Sequence, residues 1–214
     1  MPNSTPGSMP GAMSDSDNKK SGKNSNQRDE ARMDSLVVAA QEGDKDAFSE
    51  IYDEYFDQIY RYVYFRVVPR EVDDIVETIF IKAWTKLEKY EKRDVSFGAW
   101  LFRIAHNSVI DYRRAHRQVL PIDPRLEDES DKGAPKRLTE QSMMAKDLRD
   151  AVDELKDPYK QVIALKFLSG LSNSEIAEIL GQREGNVRVL QYRALKHLKK
   201  ELKGKGFKPE FYTL

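Results

Sequence analysis

Apolar side chains recur along this chain at helical rather than strand spacing, in blocks separated by glycine, proline and short polar runs. The first block, Met33 to Gln41, is short and stops at Gly43. Asp46 is placed to cap a second helix that runs to about Val67 and is stopped by Pro69. Its apolar face is wide: Phe48, Ile51, Tyr52, Tyr55, Phe56, Ile59, Tyr60 and Val63. A third helix, Glu71 to Lys89, turns Val72, Ile75, Val76, Ile79, Phe80, Ala83, Trp84 and Leu87 inward, and its outer face starts acidic with Asp73, Asp74 and Glu77. After a loop from Tyr90 to Val95, Ser96 caps a fourth helix, Phe97 to Arg117, which carries two stripes. Trp100, Leu101, Ile104, Ala105, Ser108, Val109 and Tyr112 face a core, while Arg103, His106, Asn107, Arg113, Arg114, His116 and Arg117 offer a surface suited to phosphates and base edges. A solvated charged face would carry the same stripe.

The pattern then breaks. Residues 118–138 hold Pro121, Pro124, Gly133 and Pro135 among charges, with little periodicity, and are expected to be a flexible linker. Beyond it, Thr139 to Leu155 and Pro158 to Leu168 are helical by pattern, the second with proline in its first turn and Gly170 at its end. Ser172 and Glu175 have capping-box spacing ahead of Ile176, Ala177, Ile179 and Leu180. Gly181 sits where a short turn needs a left-handed residue, and a helix of at least four turns follows. Two helices around a glycine turn, the second rich in Arg and Lys, make the helix-turn-helix layout. At ~100° per residue, Val187, Leu190, Gln191, Ala194 and Leu198 fall on the inner side, leaving Asn186, Arg188, Val189, Tyr192, Arg193 and Lys196 outward for DNA.

The fold class expected is therefore all-α, two helical domains joined by a flexible linker. Residues 1–31 are expected to be a disordered segment, 32–117 the first domain, 118–138 the linker, 139–203 the helix-turn-helix domain and 204–214 a tail. Residues 1 to about 30 are Gly, Ser, Asn, Pro, Lys and Asp with almost no large apolar side chain, too little to offset their ordering entropy. Within them Gly7-Ser8-Met9 and Gly11-Ala12-Met13 look like cloning remnants.

Charge changes this picture by its placement. The 214 residues hold 36 basic and 36 acidic side chains, so no global pull toward nucleic acid exists. From Gln182 to Lys205, however, eight Lys or Arg stand against two Glu, whereas Asp44, Asp46, Glu50, Asp53, Glu54 and Asp57 make the early helices acidic. Focused DNA contacts plus protein contacts fit that distribution. With no cysteine and three scattered histidines there is no thiolate or clustered metal site, and no cofactor is expected. The chain lacks a phosphate loop or nucleophile elbow, and neighbouring Asp73 and Asp74 point in different directions, so no enzyme is expected. Neither a membrane span nor a signal peptide shows in the pattern, so a cytoplasmic protein without membrane insertion is expected.

Three stretches carry a family resemblance: DDIVETIFIKAW from Asp73 to Trp84, FGAWLFRIAHNSVIDYRR from Phe97 to Arg114, and GLSNSEIAEILGQREGNVRVLQYRAL from Gly170 to Leu195. In this order and spacing the chain resembles a bacterial RNA polymerase sigma factor of the extracytoplasmic-function (ECF) group, over roughly Leu36 to Leu202. The resemblance implies core RNA polymerase and promoter DNA as partners, an anti-sigma factor besides, and no small-molecule substrate. It implies polymerase docking by the helix that carries Asp74, Ile75 and Phe80, to which the acidic outer face adds Asp73 and Glu77, although Glu77-Thr78 departs from the family's common Gln-Glu or Gln-Asp. It implies −10 recognition and opening by Asn107, with Tyr90 to Ser96 as the loop that pockets an extruded base; the basic stripe of the fourth helix adds Arg103, Arg113 and Arg114 to this −10 site. It implies −35 recognition by Arg188, Tyr192 and Arg193, to which the outward face of the last helix adds Asn186, Val189 and Lys196, although Val189-Leu190 stands where the family commonly has a polar residue and an arginine. The chemistry of melting needs aromatics or amides for an unstacked base and cations for the backbone, which Tyr90, Phe97, Asn107 and Arg103 supply. Phe97 and Trp100 also suit a core, and Trp100 is read as core.

Two other classes stay open on the sequence. One is a helix-turn-helix regulator acting alone on duplex DNA; the other is a sigma-like adaptor that binds polymerase or anti-sigma without opening DNA.

Overall fold

The computed structural model describes residues 16–92, 96–119 and 142–204, and among them every regular element is helical. Helix α1 spans Ser16–Gln41, α2 Lys45–Tyr64, α3 Val72–Leu87 and α4 Phe97–Val119. Helix α5 spans Ser142–Asp153, α6 Asp157–Ile163, α7 Asn173–Leu180 and α8 Glu184–Gly204. A single 3-10 turn, Pro69–Glu71, leads into α3, and a π-helical turn, Ala164–Leu168, extends α6. Residues 1–15 of the segment expected to be disordered, the linker beyond Val119 and the tail beyond Gly204 lie outside the described residues.

Two local expectations need correction. Helix α1 begins at Ser16, where composition argues for disorder up to about residue 31. Its early part contains no proline, so nothing breaks a helix held at its C-terminal end by buried Val37 and Ala40, while Arg28 to Arg32 remain exposed. The cap of α2 is Asp44 rather than Asp46: the Asp44 carboxylate accepts from the Asp46 and Ala47 amides at 2.9 and 3.1 Å. Gly43, at φ +97°, takes the left-handed turn that brings Asp44 there.

Helices α1 to α4 share the core expected of them, with Ile51, Ile59, Val63, Val72, Ile79, Leu87, Leu101 and Val109 almost fully buried. Tyr62 and Phe102 are fully buried too, outside the stripes read from the sequence. The C-terminal half explains part of this. Ala164, Leu165, Leu171, Ile176, Ala177, Ile179 and Val187 belong to the same contiguous apolar cluster as α2, α3 and α4. A second cluster joins Phe65 to Val152, Leu155, Ile163 and Ala194. The two domains are thus docked on each other, and an apolar seam rather than the linker alone unites them.

The helix-turn-helix forms as its sequence dictates. The Ser172 hydroxyl accepts from the Glu175 amide at 3.2 Å while Glu175 accepts from the Ser172 amide at 2.9 Å, a complete capping box. Gly181, at φ +62°, ends α7. Val187 and Ala194 of α8 are fully buried, and Gln191, at the edge of the inner side, donates to the Asn173 side chain at 2.6 Å.

Candidate nucleic-acid interface and docking groove

Helix α4 presents Trp100, Arg103 and Asn107 within about 60° of one another on its circumference. Asn107 and Arg114 are exposed. Arg103 is engaged: its guanidinium donates to the Glu178 carboxylate and to the Glu178 carbonyl, both at 3.1 Å. Arg113 pairs with Asp157. Two of the cations read as phosphate ligands are therefore held by the helix-turn-helix domain.

Asp157 also faces Arg66, whose side chain is wholly buried and lies 3.4 Å away. That approach is an ion pair without hydrogen-bond geometry, since none of the Arg66 nitrogens Nε, Nη1 and Nη2 has a hydrogen-bond partner. Burial pushes the Asp157 carboxyl up, but Arg66 and Arg113 outweigh it and hold it below the usual carboxylate range. His106, beside the same node, is lowered to about 4 by burial and by Arg66, and its Nδ1 lies 3.1 Å from the Tyr62 hydroxyl. Arg149 completes the seam, donating to the Val67 carbonyl at 2.7 Å with its guanidinium 4.2 Å from the Tyr64 ring centroid.

Tyr90 is only 8% exposed, its ring 5.4 Å from Phe97 and 5.0 Å from Trp100 between centroids. Tyr90 and Phe97 both belong to the buried core. Phe97 is buried, whereas Trp100 is partly exposed. Gly98 is fixed by Tyr55: a Cβ there would meet the Tyr55 hydroxyl at 3.0 Å.

On the other side of the first domain, α2 and α3 leave an open groove of about 520 Å³ lined by Phe48, Tyr52, Phe56, Asp73, Val76, Glu77, Phe80, Ile81 and Trp84. Of the residues read as polymerase ligands, Asp73, Glu77 and Phe80 line it; Asp74 and Ile75 do not. The sequence reading placed Phe48, Tyr52, Phe56 and Trp84 inward; Phe48 and Phe56 do pack against the core, whereas Tyr52 and Trp84, with Ile81, are exposed. Ile81 is 58% exposed and Trp84 37%, an apolar strip rimmed by acid. The signal was the apolar width of α3, where Ile81 lies outside the inward stripe.

In α8 the six outward residues, Asn186, Arg188, Val189, Tyr192, Arg193 and Lys196, are all exposed, Tyr192 to 71%. Arg188 pairs with Glu184 one turn back at 2.5 Å. No group of three or more potential ligands converges as a metal site among the described residues, and no helix there is long and apolar enough to cross a membrane.

Comparison with known proteins gives this arrangement a family. The Sigma-70 region 2 model matches residues 51–119, and the Sigma-70, region 4 model matches 145–198, together more than half of the chain. The ECF RNA polymerase sigma factor BldN of Streptomyces coelicolor is 36% identical over 128 residues, which is 59% of this chain and about half, 48%, of BldN. RNA polymerase sigma factor SigV of Bacillus subtilis is 31% identical, covering 60% of this chain and 74% of SigV. ECF sigma factor SigW of the same organism is 30% identical over 62% and 76% of the two chains. The fold is also that of CnrH, solved with the cytosolic domain of CnrY, at a TM-score of 0.61 and 24% identity over 79% of this chain and 96% of that one. RpoE of Bartonella quintana, solved with the anti-sigma factor NepR, matches at 0.57 and 22% identity over 72% and 97%. With a region 2 helix set, a region 4 helix-turn-helix and relatives of these kinds, the chain belongs to the ECF RNA polymerase sigma factors.

Proposed function

We propose that the chain binds core RNA polymerase through the α2–α3 groove, reads the −35 element with the outward face of α8, and recognises and opens the −10 element with α4. The observation that carries this reading is the presence of three unlike surfaces on one chain. An acid-rimmed apolar groove suits a protein helix, a basic recognition helix suits the major groove, and the Trp100, Arg103 and Asn107 face suits unpaired bases. The role is that of a specificity subunit without chemistry of its own, working where polymerase and promoter are, inside the cell. An anti-sigma factor is the expected second occupant of the groove, because an exposed apolar strip needs cover when polymerase is absent.

In the docked chain Arg103 and Arg113 are spent on Glu178 and Asp157. The exposed Arg103–Glu178 pair yields to a phosphate in place, whereas contact of Arg113 with −10 DNA requires α6 to leave α4, and binding to polymerase supplies the free energy for that separation. Run-off transcription with core polymerase tests the reading. This chain plus core should initiate from a selected promoter; a regulator acting alone on duplex DNA would need a further sigma factor, and a sigma-like adaptor would inhibit.

A further inference from the structure

Helix α1 lies wholly ahead of the stretch matched by the region 2 model, which begins at residue 51, yet it grips the segment that leads from α3 toward α4. The last carbonyls of any helix lack intrahelical donors. At the end of α3 the Leu87 carbonyl accepts from the Tyr90 amide at 2.9 Å, and the side-chain amide of Gln41, half-buried at the last residue of α1, adds a second donor there. It donates to the Leu87 carbonyl at 3.0 Å and to the Tyr90 carbonyl at 2.7 Å. Both hydrogens of the amide are thereby used, each on a backbone atom more than forty residues away in sequence. Two turns earlier on the same face of α1, Asp34 pairs with Lys92. The segment is held at both sides of Tyr90, and the Tyr90 ring in turn rests on Trp100. Trp100 begins the α4 stripe that continues through Arg103 to Asn107.

We infer that Gln41 is a positioning residue for −10 recognition: it sets the height of the Tyr90 backbone, and so of the Tyr90–Trp100 pair, against which an unstacked base of the melted strand would lie. The inference rests on the sigma-factor reading above. Gln41 touches no DNA. Its effect is on the shape of the aromatic wall beside Asn107, and shape at the 1 Å scale decides whether one base is preferred to another.

The test uses the full chain with core polymerase and measures opening rates on the selected promoter and on promoters changed singly at each −10 position. Wild type must first give run-off product; failure there overturns the sigma-factor reading itself. Gln41→Met keeps the length and removes the donor. It should retain core binding and lose about tenfold in discrimination at one −10 position, the scale of a single base contact. Gln41→Lys, whose ammonium donates to both carbonyls, should restore discrimination; Gln41→Glu, with no donor, should not. Unchanged base preference in Gln41→Met, or an equal loss on every promoter together with lost core binding, overturns the inference. Should Gln41→Met fail to fold, Gln41→Glu, which keeps the shape of the side chain and removes its donor, decides the matter by a loss at one −10 position or by none.

Discussion

The Ser96 hydroxyl donates to the Glu175 carboxylate at 2.5 Å, joining the N-terminus of α4 to the N-terminus of α7. Ser96 accepts from the Ala99 amide at 3.2 Å, and Glu175 accepts from the Ser172 amide at 2.9 Å, so two helix caps from two domains meet on one carboxylate. The first domain and the helix-turn-helix domain are thus coupled at the starts of α4 and α7.

Glu175→Gln should destabilise the docked chain by about 1 kcal/mol, the usual scale for a cap. Burial raises the Glu175 carboxyl, but hydrogen bonds from Ser96 and Ser172 prevail and its net shift is downward. A depressed carboxylate stabilises the fold above the ordinary carboxylate range and loses that contribution as pH falls through its folded value. The gap between wild type and Glu175→Gln in urea denaturation should therefore be full at pH 7 and close on acidification. A gap that is constant with pH counts against the shared cap.

Magnitudes separate the two ionic contacts of the seam. Arg103 and Glu178 are each more than a third exposed, a kind of pair worth about 0–1 kcal/mol, so Glu178→Gln should leave the domains docked. Asp157 is the counter-ion of a wholly buried guanidinium, and removing one partner of such a pair costs about 3–5 kcal/mol. Asp157→Ala should undock the domains, because separation returns Arg66 to water. Small-angle scattering should show expansion for Asp157→Ala and not for Glu178→Gln. Acidification acts on the same node. His106 is depressed from 6.5 to about 4, so it favours the fold above pH 6.5 and this contribution declines as pH falls toward 4; the Asp157 contribution is lost below the ordinary carboxylate range. In His106→Gln the loss between pH 6.5 and 4 should disappear.

Which features were legible follows from their range in sequence. Ser172, Glu175 and Gly181 sit within ten residues, so their capping box and left-handed turn could be read directly, as could the inward and outward sorting of α8. Asp44 was missed as the cap of α2 because Asp46, two residues on, has the same chemistry and only the turn at Gly43 distinguishes them. Tyr62 and Phe102 were missed as core because periodicity finds one buried stripe, whereas α2 and α4 are covered on two sides once the second domain docks. The engagement of Arg103 by Glu178 and of Arg113 by Asp157 spans 75 and 44 residues, and no local pattern encodes it.

Ile81 offers a clean test of the groove. At 58% exposure it does little for the fold, so Ile81→Glu should keep the melting temperature near that of wild type. A charge placed among Phe48, Tyr52 and Trp84 beside Glu77 should lower affinity for core polymerase by at least tenfold, as loss of a central apolar anchor does. Equal affinity would move the docking surface elsewhere.

Asn107 is exposed on α4 and no core need calls for an amide there. Asn107→Ala should bind core polymerase normally and lose about 1 to 3 kcal/mol in open-complex formation. Permanganate footprints of the melted strand report this directly, and unchanged footprints would remove Asn107 from the −10 site.

The −35 preference should bear the mark of Val189. It is 48% exposed on the outer face of α8, where a β-branched side chain gains little by packing but fits the methyl group of thymine in the major groove. Leu190, one position on, is half-buried and turns toward the domain, so it replaces a possible DNA contact with packing. Arg188 is held by Glu184, but an exposed pair one turn apart is worth about 0.3–0.5 kcal/mol and yields readily to a phosphate. One −35 position should therefore be a thymine read by Val189, a contact of about 1 kcal/mol or less, below the ~1 to 3 kcal/mol of a bidentate pair. Selection from a random promoter library should show Val189→Ser relaxing that position alone. Arg193→Ala should weaken binding at every sequence, with a shallower salt dependence if its contact is to phosphate. If Val189→Ser leaves the selected −35 sequence untouched throughout, Val189 faces a protein neighbour instead, and its exposed methyls belong to an interface with polymerase or anti-sigma rather than with DNA.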